Sequence, residues 1–413
     1  MSHSERLGGH VVPLEDAQQA AQTFNDPRFW RWLTLGVGLL AFGKGIRLPN
    51  AWSYTQAQMD YSVGFMRRGL FGEVLGHALQ LNRYTNFAIV STLLLLLLYG
   101  ALALLAHRSR LAARTPPGEL LAVYASSYSV TYLAHLNGYM DIPLALLCVA
   151  PLFVRSTGWR LAAAAVCATL GILVHEQFIF CYLPVLVISV LLGAEGSKSV
   201  GERRLAWAGA ALLLLLGLGM TGLLGRYASI TVAQEQQLSR SAAARADQPI
   251  SADVFDVLPR TTHENFEIMK TVWVRPTFIP AQVESLLLFG PTAGVLVWGT
   301  FVVLRRWRPG ASRWVYAAVV VGTLAPLSLN LVGWDKNRWN EMMALNALLL
   351  LLVVCMRFGD EPIRLPVGLR RACLAVMLLN MASGGGMLDF KHVRPFPFLR
   401  NPDSVEETSH FPS

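Results

Sequence analysis

Residues 91–107 read STLLLLLLYGALALLAH, from Ser91 to His107. No charged side chain interrupts this run before His107, and it extends an already apolar stretch beginning near residue 86. About twenty such residues span the hydrocarbon core of a bilayer. The run therefore predicts a transmembrane helix, and the rest of the chain repeats its character. Eleven spans are expected, near 30–48, 86–106, 118–134, 141–155, 161–174, 178–193, 206–225, 284–304, 315–333, 342–356 and 371–389. The predicted fold is an all-α polytopic membrane bundle over 30–389, with a cytoplasmic tail at 1–29 and an extracytoplasmic tail at 390–413.

Composition agrees with a membrane solvent. Of 413 residues, 54% are hydrophobic and 15% charged, with a mean hydropathy of +0.43. Soluble chains carry about 25% charged residues. The formal charge of +9 sits in short clusters between apolar runs, where topology rather than nucleic acid accounts for it. No zinc-finger spacing, phosphate-binding glycine loop or basic stripe with interleaved aromatics supports nucleic-acid binding. Cys148, Cys167, Cys181, Cys355 and Cys373 lie in or beside apolar runs without metal-ligand spacing, and read as small packed hydrophobes. The polar, acidic segment PLEDAQQAAQTF near the start gives no sign of a cleavable signal peptide.

The connections set the orientation. HRSRLAAR, RSTGWR, GSKSVGERR, RRWRPGASR and RFGDEPIRLPVGLRR alternate with AHLNGYMD, HEQ and GWDKNRWNE. The first group holds 16 of the 35 Lys and Arg residues; the second holds only Lys336 and Arg338. The positive-inside rule puts the first group and the N-terminus in the cytoplasm, and the C-terminus outside. The other ionisable residues of interest then collect on the outer face. Two outer connections are long, at 49–85 and 226–283.

Met59 to Leu81, MDYSVGFMRRGLFGEVLGHALQL, carries Asp60, Arg67 and Arg68 before Leu70, Phe71, Val74, Leu75, Ala78 and Leu79 at helical spacing. This pattern predicts an amphipathic helix in the membrane interface. Asp60 is a candidate general base or part of a metal site, or else a solvated loop acid or a helix cap. Arg67 and Arg68 suit a lipid-borne phosphate, or equally phospholipid headgroups. In VYASSYSVTYLAHLNGYMD, Tyr124, Tyr128, Thr131 and His135 share a helical face that lines a groove or bonds neighbouring helices. His135, Tyr139 and Asp141 crowd the following turn.

His175 and Glu176 stand between two apolar runs with almost no connection to solvate them. They are candidate catalytic groups or a structural pair fixing the turn; no second histidine follows at zincin spacing. Asp335, Arg338 and Trp339 join the ninth and tenth spans, as substrate ligands or as an interfacial ion pair with an aromatic anchor. The hydrophilic connection 226–283, with RTTHENFEIM inside it, reads as a lid, an acceptor platform or a connector, in which ADVFDVL and NFEIMKTVW form short helices.

An acid just after the first span, followed by an amphipathic juxtamembrane helix, resembles the GT-C class of membrane glycosyltransferases. That resemblance implies a polyprenyl-linked sugar donor, a glycan or lipid acceptor and an extracytoplasmic site in a bacterial inner membrane. It makes Asp60 the base, and Arg338 or the Arg67–Arg68 pair the phosphate clamp. The paired acids of many members are missing, since Tyr61 and Ser62 follow Asp60, so no cofactor is implied and a divalent metal lacks its motif. The larger outer connection, 226–283, with its arginines and a histidine, is also similar to that of O-antigen polymerases and ligases, which transfer a glycan without metal. A lipid-linked glycan flippase and a secretion-complex scaffold are the remaining alternatives.

Overall fold

The computed structural model describes residues 26–113, 118–197, 199–333, 335–359 and 363–382. Most of the N-terminal tail and the whole C-terminal tail expected from sequence lie outside them. The described residues form helices and turns without strands. We number the helices α1 (Pro27–Gly45), α2 (Ala51–Gln56), α3 (Tyr84–Ala113), α4 (Gly118–Ala125), α5 (Tyr128–His135), α6 (Asp141–Leu152), α7 (Thr157–Val174) and α8 (Phe178–Cys181). Then follow α9 (Leu183–Gly196), α10 (Val200–Tyr227), α11 (Val232–Arg245), α12 (Thr262–Trp273), α13 (Phe278–Trp307), α14 (Arg313–Leu324), α15 (Lys336–Phe358) and α16 (Val367–Ala382).

Among the described residues, seven stretches are long and apolar enough to cross a membrane: Tyr84–Ser109, Thr157–Val174, Phe178–Glu195, Val200–Tyr227, Phe278–Trp307, Arg313–Leu331 and Lys336–Phe358. They correspond to seven of the eleven expected spans. Leu93, Leu96 and Leu97 on α3, and Leu212, Leu215 and Leu218 on α10, remain exposed. Rows of uncovered leucine suit contact with lipid, not water. The chain has the architecture of a multi-pass membrane protein.

The other four expected spans are not among these seven. The stretch 118–134 is two short helices. The Ser126 hydroxyl donates to the Val123 carbonyl at 3.0 Å and the Ser127 hydroxyl to that of Tyr124 at 2.6 Å, while Ser127 turns to extended backbone. These local bonds compete with the helical ladder and end it. Tyr124 is thereby separated from the Tyr128–Thr131–His135 stripe, which lies on α5 alone. The stretch 141–155 contracts to the 12 residues of α6, with Pro151 in its last turn. The first expected span is represented by α1, 19 residues long; the last is represented by α16, 16 residues long, and residues 383–389 of it lie outside the described residues.

At the centre stands α15, which is apolar along most of its length. It packs against α3, α9, α13 and α14, so nearly every side chain from Arg338 to Cys355 is buried. A helix apolar on all sides belongs inside a bundle.

The two long connections build one structure. Thr231 and Thr261 each start a helix with a reciprocal capping box, to Gln234 and Glu264. The second of these helices, α12, contains the whole of the expected NFEIMKTVW segment; the expected helix in ADVFDVL is a single turn, Ala252–Val254. Met59 and Met66 of the first connection pack with Ile230, Leu238, Val254, Phe255 and Leu258 of the second in a small separate core. Backbone and side chains stitch the two together. The Tyr84 N–H donates to Asp247 Oδ1 at 2.8 Å, Ser251 N–H to Thr55 Oγ1 at 2.8 Å, and Gln234 Nε2 to the Val63 carbonyl at 3.0 Å. We call this unit the cap.

Within it, Met59–Leu81 is not one amphipathic helix. Gly64 (φ 118°) and Arg68 (φ 66°) turn the chain, and helix begins only at Leu70, widening to a π turn over Gly72–Gly76. Gly72 permits this fold-back, because a Cβ there would lie 2.0 Å from the Met59 carbonyl oxygen. Of the expected apolar face, Phe71 is buried while Val74 and Leu79 are exposed.

Candidate functional site

The turn between α7 and α8 organises the site. His175 ends α7 in extended backbone, and the next two side chains diverge into two polar groups. Glu176 receives Arg68 of the cap: Arg68 Nε lies 3.0 and 3.1 Å from the two carboxylate oxygens, with Nη2 on the same carboxylate. Gln177 instead enters the bundle, where its Nε2 donates to Asp141 Oδ1 at 2.9 Å.

Asp141 is fully buried at the start of α6. Its other oxygen accepts from Arg338 Nη2 at 2.8 Å, and Arg338 Nη1 donates to Asp335 Oδ2 at 3.2 Å. The guanidinium also lies 5.3 Å from the Tyr139 ring centroid and 5.1 Å from that of Trp339. Carboxylates and aromatic faces thus surround one arginine, an arrangement suited to the planar, weakly hydrated guanidinium. The Tyr139 hydroxyl accepts from Asn50 Nδ2 at 3.1 Å, linking this group to the base of the cap. His135 stacks on Tyr132 with ring centroids 6.0 Å apart, and its carbonyl accepts from Arg47 Nε at 2.7 Å.

Electrostatics distinguish the groups outside the spans. Burial pushes the Glu176 carboxyl up, but Arg68 and the other nearby positive groups prevail and hold it well below the usual range. Burial, reinforced by Arg68, holds the His175 imidazole well below its ordinary value. The Gln177 N–H donates to His175 Nδ1 at 3.2 Å, which places the proton of the neutral ring on Nε2. Burial raises the Asp335 carboxyl against the opposing pull of Arg338. Asp335 is also the most open acid touching Arg338, with a side chain 36% exposed, whereas Asp141 is sealed.

The remaining sequence candidates lie in the cap. Asp60 is 3% exposed; its Oδ2 accepts from Arg245 at 2.7 Å and its Oδ1 from the Ser62 N–H at 3.0 Å. Arg67 donates to the carbonyls of Val257, Leu258 and Arg260. Both are engaged in joining the two connections. Arg260, His263, Glu264, Glu267 and Ile268 line an open groove of about 540 Å³ at the start of α12. Among the described residues, no group of three or more His, Cys, Asp or Glu side chains could hold a metal ion.

Two residues escape a sequence reading. Gln177 bridges Asp141 and Arg338, but a glutamine between apolar runs carries no distinctive pattern. Glu341 lies fully buried one turn into α15, with both carboxylate oxygens lacking a hydrogen-bond partner. Its signal is present in the sequence as an acid immediately preceding a long apolar run.

The chain matches no protein-family model, no curated protein and no solved structure.

Proposed function

We propose that this protein is a membrane glycosyltransferase that moves a sugar from a polyprenyl phosphate or diphosphate to a glycan or lipid acceptor on the extracytoplasmic face. The observation that carries the reading is the position of Arg68, Glu176, Gln177, Asp141, Arg338 and Asp335 around one turn, with Arg68 reaching in from a two-connection cap. The charge pattern of the loops supports an extracytoplasmic position for this end, and the reading takes the membrane to be a bacterial inner membrane.

In this reading Arg68 exchanges Glu176 for the donor phosphate, since arginine forms the same bidentate bonds with either anion. Asp335 takes the proton from the acceptor hydroxyl; its partial exposure and raised carboxyl suit a general base. Arg338 holds Asp335 in place, and Asp141 and Gln177 hold Arg338. The base is thus moved from Asp60 to Asp335, because both oxygens of Asp60 already serve Arg245 and Ser62.

The test is mass spectrometry of polyprenyl-linked glycans in cells lacking the protein and in cells complemented with wild type or Asp335→Asn. A lipid-linked intermediate that accumulates in the null and persists with well-expressed Asp335→Asn supports the reading. Its mass separates a monosaccharide transferase from a repeat-unit polymerase or ligase. A normal lipid profile in the null contradicts it. Glu341, an acid inside a span, supports one second reading, movement of a lipid-linked glycan across the membrane. In that case the accumulated lipid would face the cytoplasm.

A further inference from the structure

The end of the bundle opposite the Glu176 turn holds a charged recess that the proposed transfer does not use. Helix α9 leads away from that turn to Gly196, and it packs against both α10 and α14. Its last turns gather arginines from other elements. Arg160 of α7 donates to the Ser189 carbonyl at 3.1 Å, Arg357 of α15 to that of Gly193 at 2.9 Å, and Arg308, just after α13, to that of Glu195 at 2.6 Å. The last four carbonyls of a helix have no partner in the ladder, and cations there meet the negative end of the dipole. The ending of α9 therefore accounts for Arg357 and for one N–H of Arg308.

It does not account for the rest. Beside the end of α9 lies a recess of about 230 Å³ lined by Arg203, Arg308, Trp207 of α10 and Trp314 of α14. The two indole rings meet with centroids 5.1 Å apart. Glu195, also on the wall, accepts from the N–H and hydroxyl of Ser312 at 3.2 and 3.4 Å, and the neighbouring Glu202 accepts from the Ser197 hydroxyl at 2.5 Å. Among the described residues the Arg203 guanidinium has no hydrogen-bond or ion-pair partner, and Arg308 donates to the Glu195 carbonyl alone. A guanidinium carries five N–H donors, so most of those lining the recess are unused. The arginines Arg160, Arg203, Arg308 and Arg357 also outnumber the acids Glu195 and Glu202, so the ligand that balances this end is an anion.

The surroundings specify what carries the anion. Trp207, Ala211, Leu214 and Leu218 share one face of α10 and are exposed, so an apolar strip runs from the recess along the side of the bundle. Pockets that enclose whole small molecules measure roughly 300–1,000 Å³. The smaller recess suits a headgroup whose chains stay outside it, against that strip. Tryptophan is enriched at headgroup level, and the positive-inside rule puts the loops GSKSVGERR and RRWRPGASR in the cytoplasm, on the side of the anionic leaflet.

We propose that Arg203 and Arg308, framed by Trp207 and Trp314, bind the phosphate of an anionic phospholipid in the cytoplasmic leaflet. The shared chemistry is a phosphate ester, which a soluble phosphate also offers; the acyl chains decide between the two. The site goes beyond glycosyl transfer and does not depend on it.

The experiment follows thermal unfolding of the purified full chain in detergent at constant ionic strength, titrated separately with phosphatidylglycerol, phosphatidylcholine and glycerol phosphate. A ligand that binds the folded state raises the unfolding temperature as its concentration passes its Kd. Wild type is expected to show a saturable rise with phosphatidylglycerol and none with the other two. Arg203 is exposed and without a partner, so Arg203→Gln should fold normally and need about fivefold more phosphatidylglycerol for the same rise, the worth of one basic residue at an anionic surface. Arg306→Gln removes the same charge from an exposed position on the same face outside the recess, and should respond as wild type does. Equal rises with phosphatidylglycerol and phosphatidylcholine overturn the proposal, as does an unchanged midpoint in Arg203→Gln or an equal loss in Arg306→Gln. A full rise with glycerol phosphate overturns the lipid as the source of the phosphate.

Discussion

Arg338 and Asp141 meet at 2.8 Å across 197 positions of sequence, and both side chains are closed to solvent. The pair joins the central helix α15 to α6 directly beneath the turn that Arg68 reaches from the cap. Removing one member of a buried pair costs about 3–5 kcal/mol, because the other charge is left uncompensated. Arg338→Met is therefore expected to lower the unfolding temperature in detergent strongly. Adding Asp141→Asn should recover part of the loss. Equal stability of the single and double variants would show that the pair is not coupled.

Arg68 and Glu176 link cap to bundle with side chains 19% and 28% exposed. Partial solvent screening limits this pair to about 1 kcal/mol of stability. Its larger effect should be local. Arg68→Gln is expected to speed amide hydrogen exchange in 59–81 while exchange in α15 stays unchanged. Uniform acceleration through the whole chain would contradict a link confined to the cap.

Acid should weaken the same region in two stages. The depressed His175 keeps the folded ring neutral, so its contribution is complete above its unfolded pKa of about 6.5 and declines as pH falls toward the lower folded value. Glu176 is depressed too; its contribution is complete above about 4.3 and is lost as pH falls through its folded value. Unfolding temperature is thus expected to fall between about pH 7 and pH 5, before the carboxylate range. His175→Gln should flatten that first stage. An unaltered pH profile in the variant would exclude His175 as its source.

Gly72 and Gly76 give a paired test of the cap fold. A Cβ at Gly72 meets the Met59 carbonyl at 2.0 Å, whereas one at Gly76 meets the Ala57 carbonyl at 3.4 Å. Gly72→Ala forces backbone apart and is expected to cost about 1–3 kcal/mol, the range for overpacking. Limited proteolysis should then cut within 46–83. Gly76→Ala should resemble wild type.

The bundle was legible because its signal is local. Runs such as STLLLLLLYG declare a span through residues that are neighbours in sequence, and seven expected spans correspond to seven apolar stretches of helix. The break at Ser126–Ser127 was missed because apolar periodicity continues across it, while the hydroxyl bonds that end α4 are local polar chemistry. Helix α11 was hidden for the opposite reason: its buried face is only Leu238 and Ala242 in an otherwise polar segment. At the site, crowding in the short turns singles out Asp141, His175, Glu176 and Arg338, each of which folding brings into the polar groups around one turn. Pairing was not legible. Asp60 meets Arg245 across 185 positions, and Arg68 meets Glu176 across 108, relationships created only by folding.

The most direct test of the transfer reaction is reconstitution. Purified wild type or Asp335→Asn in proteoliposomes would receive the lipid extract of cells lacking the protein, together with the acceptor fraction, and lipid-linked glycans would be followed by mass spectrometry. The account predicts that wild type consumes a polyprenyl-linked glycan and enlarges the acceptor, that Asp335→Asn does neither, and that Asp60→Asn retains activity when folded. Unchanged lipid-linked glycan with wild type, or equal turnover by Asp335→Asn, would contradict it.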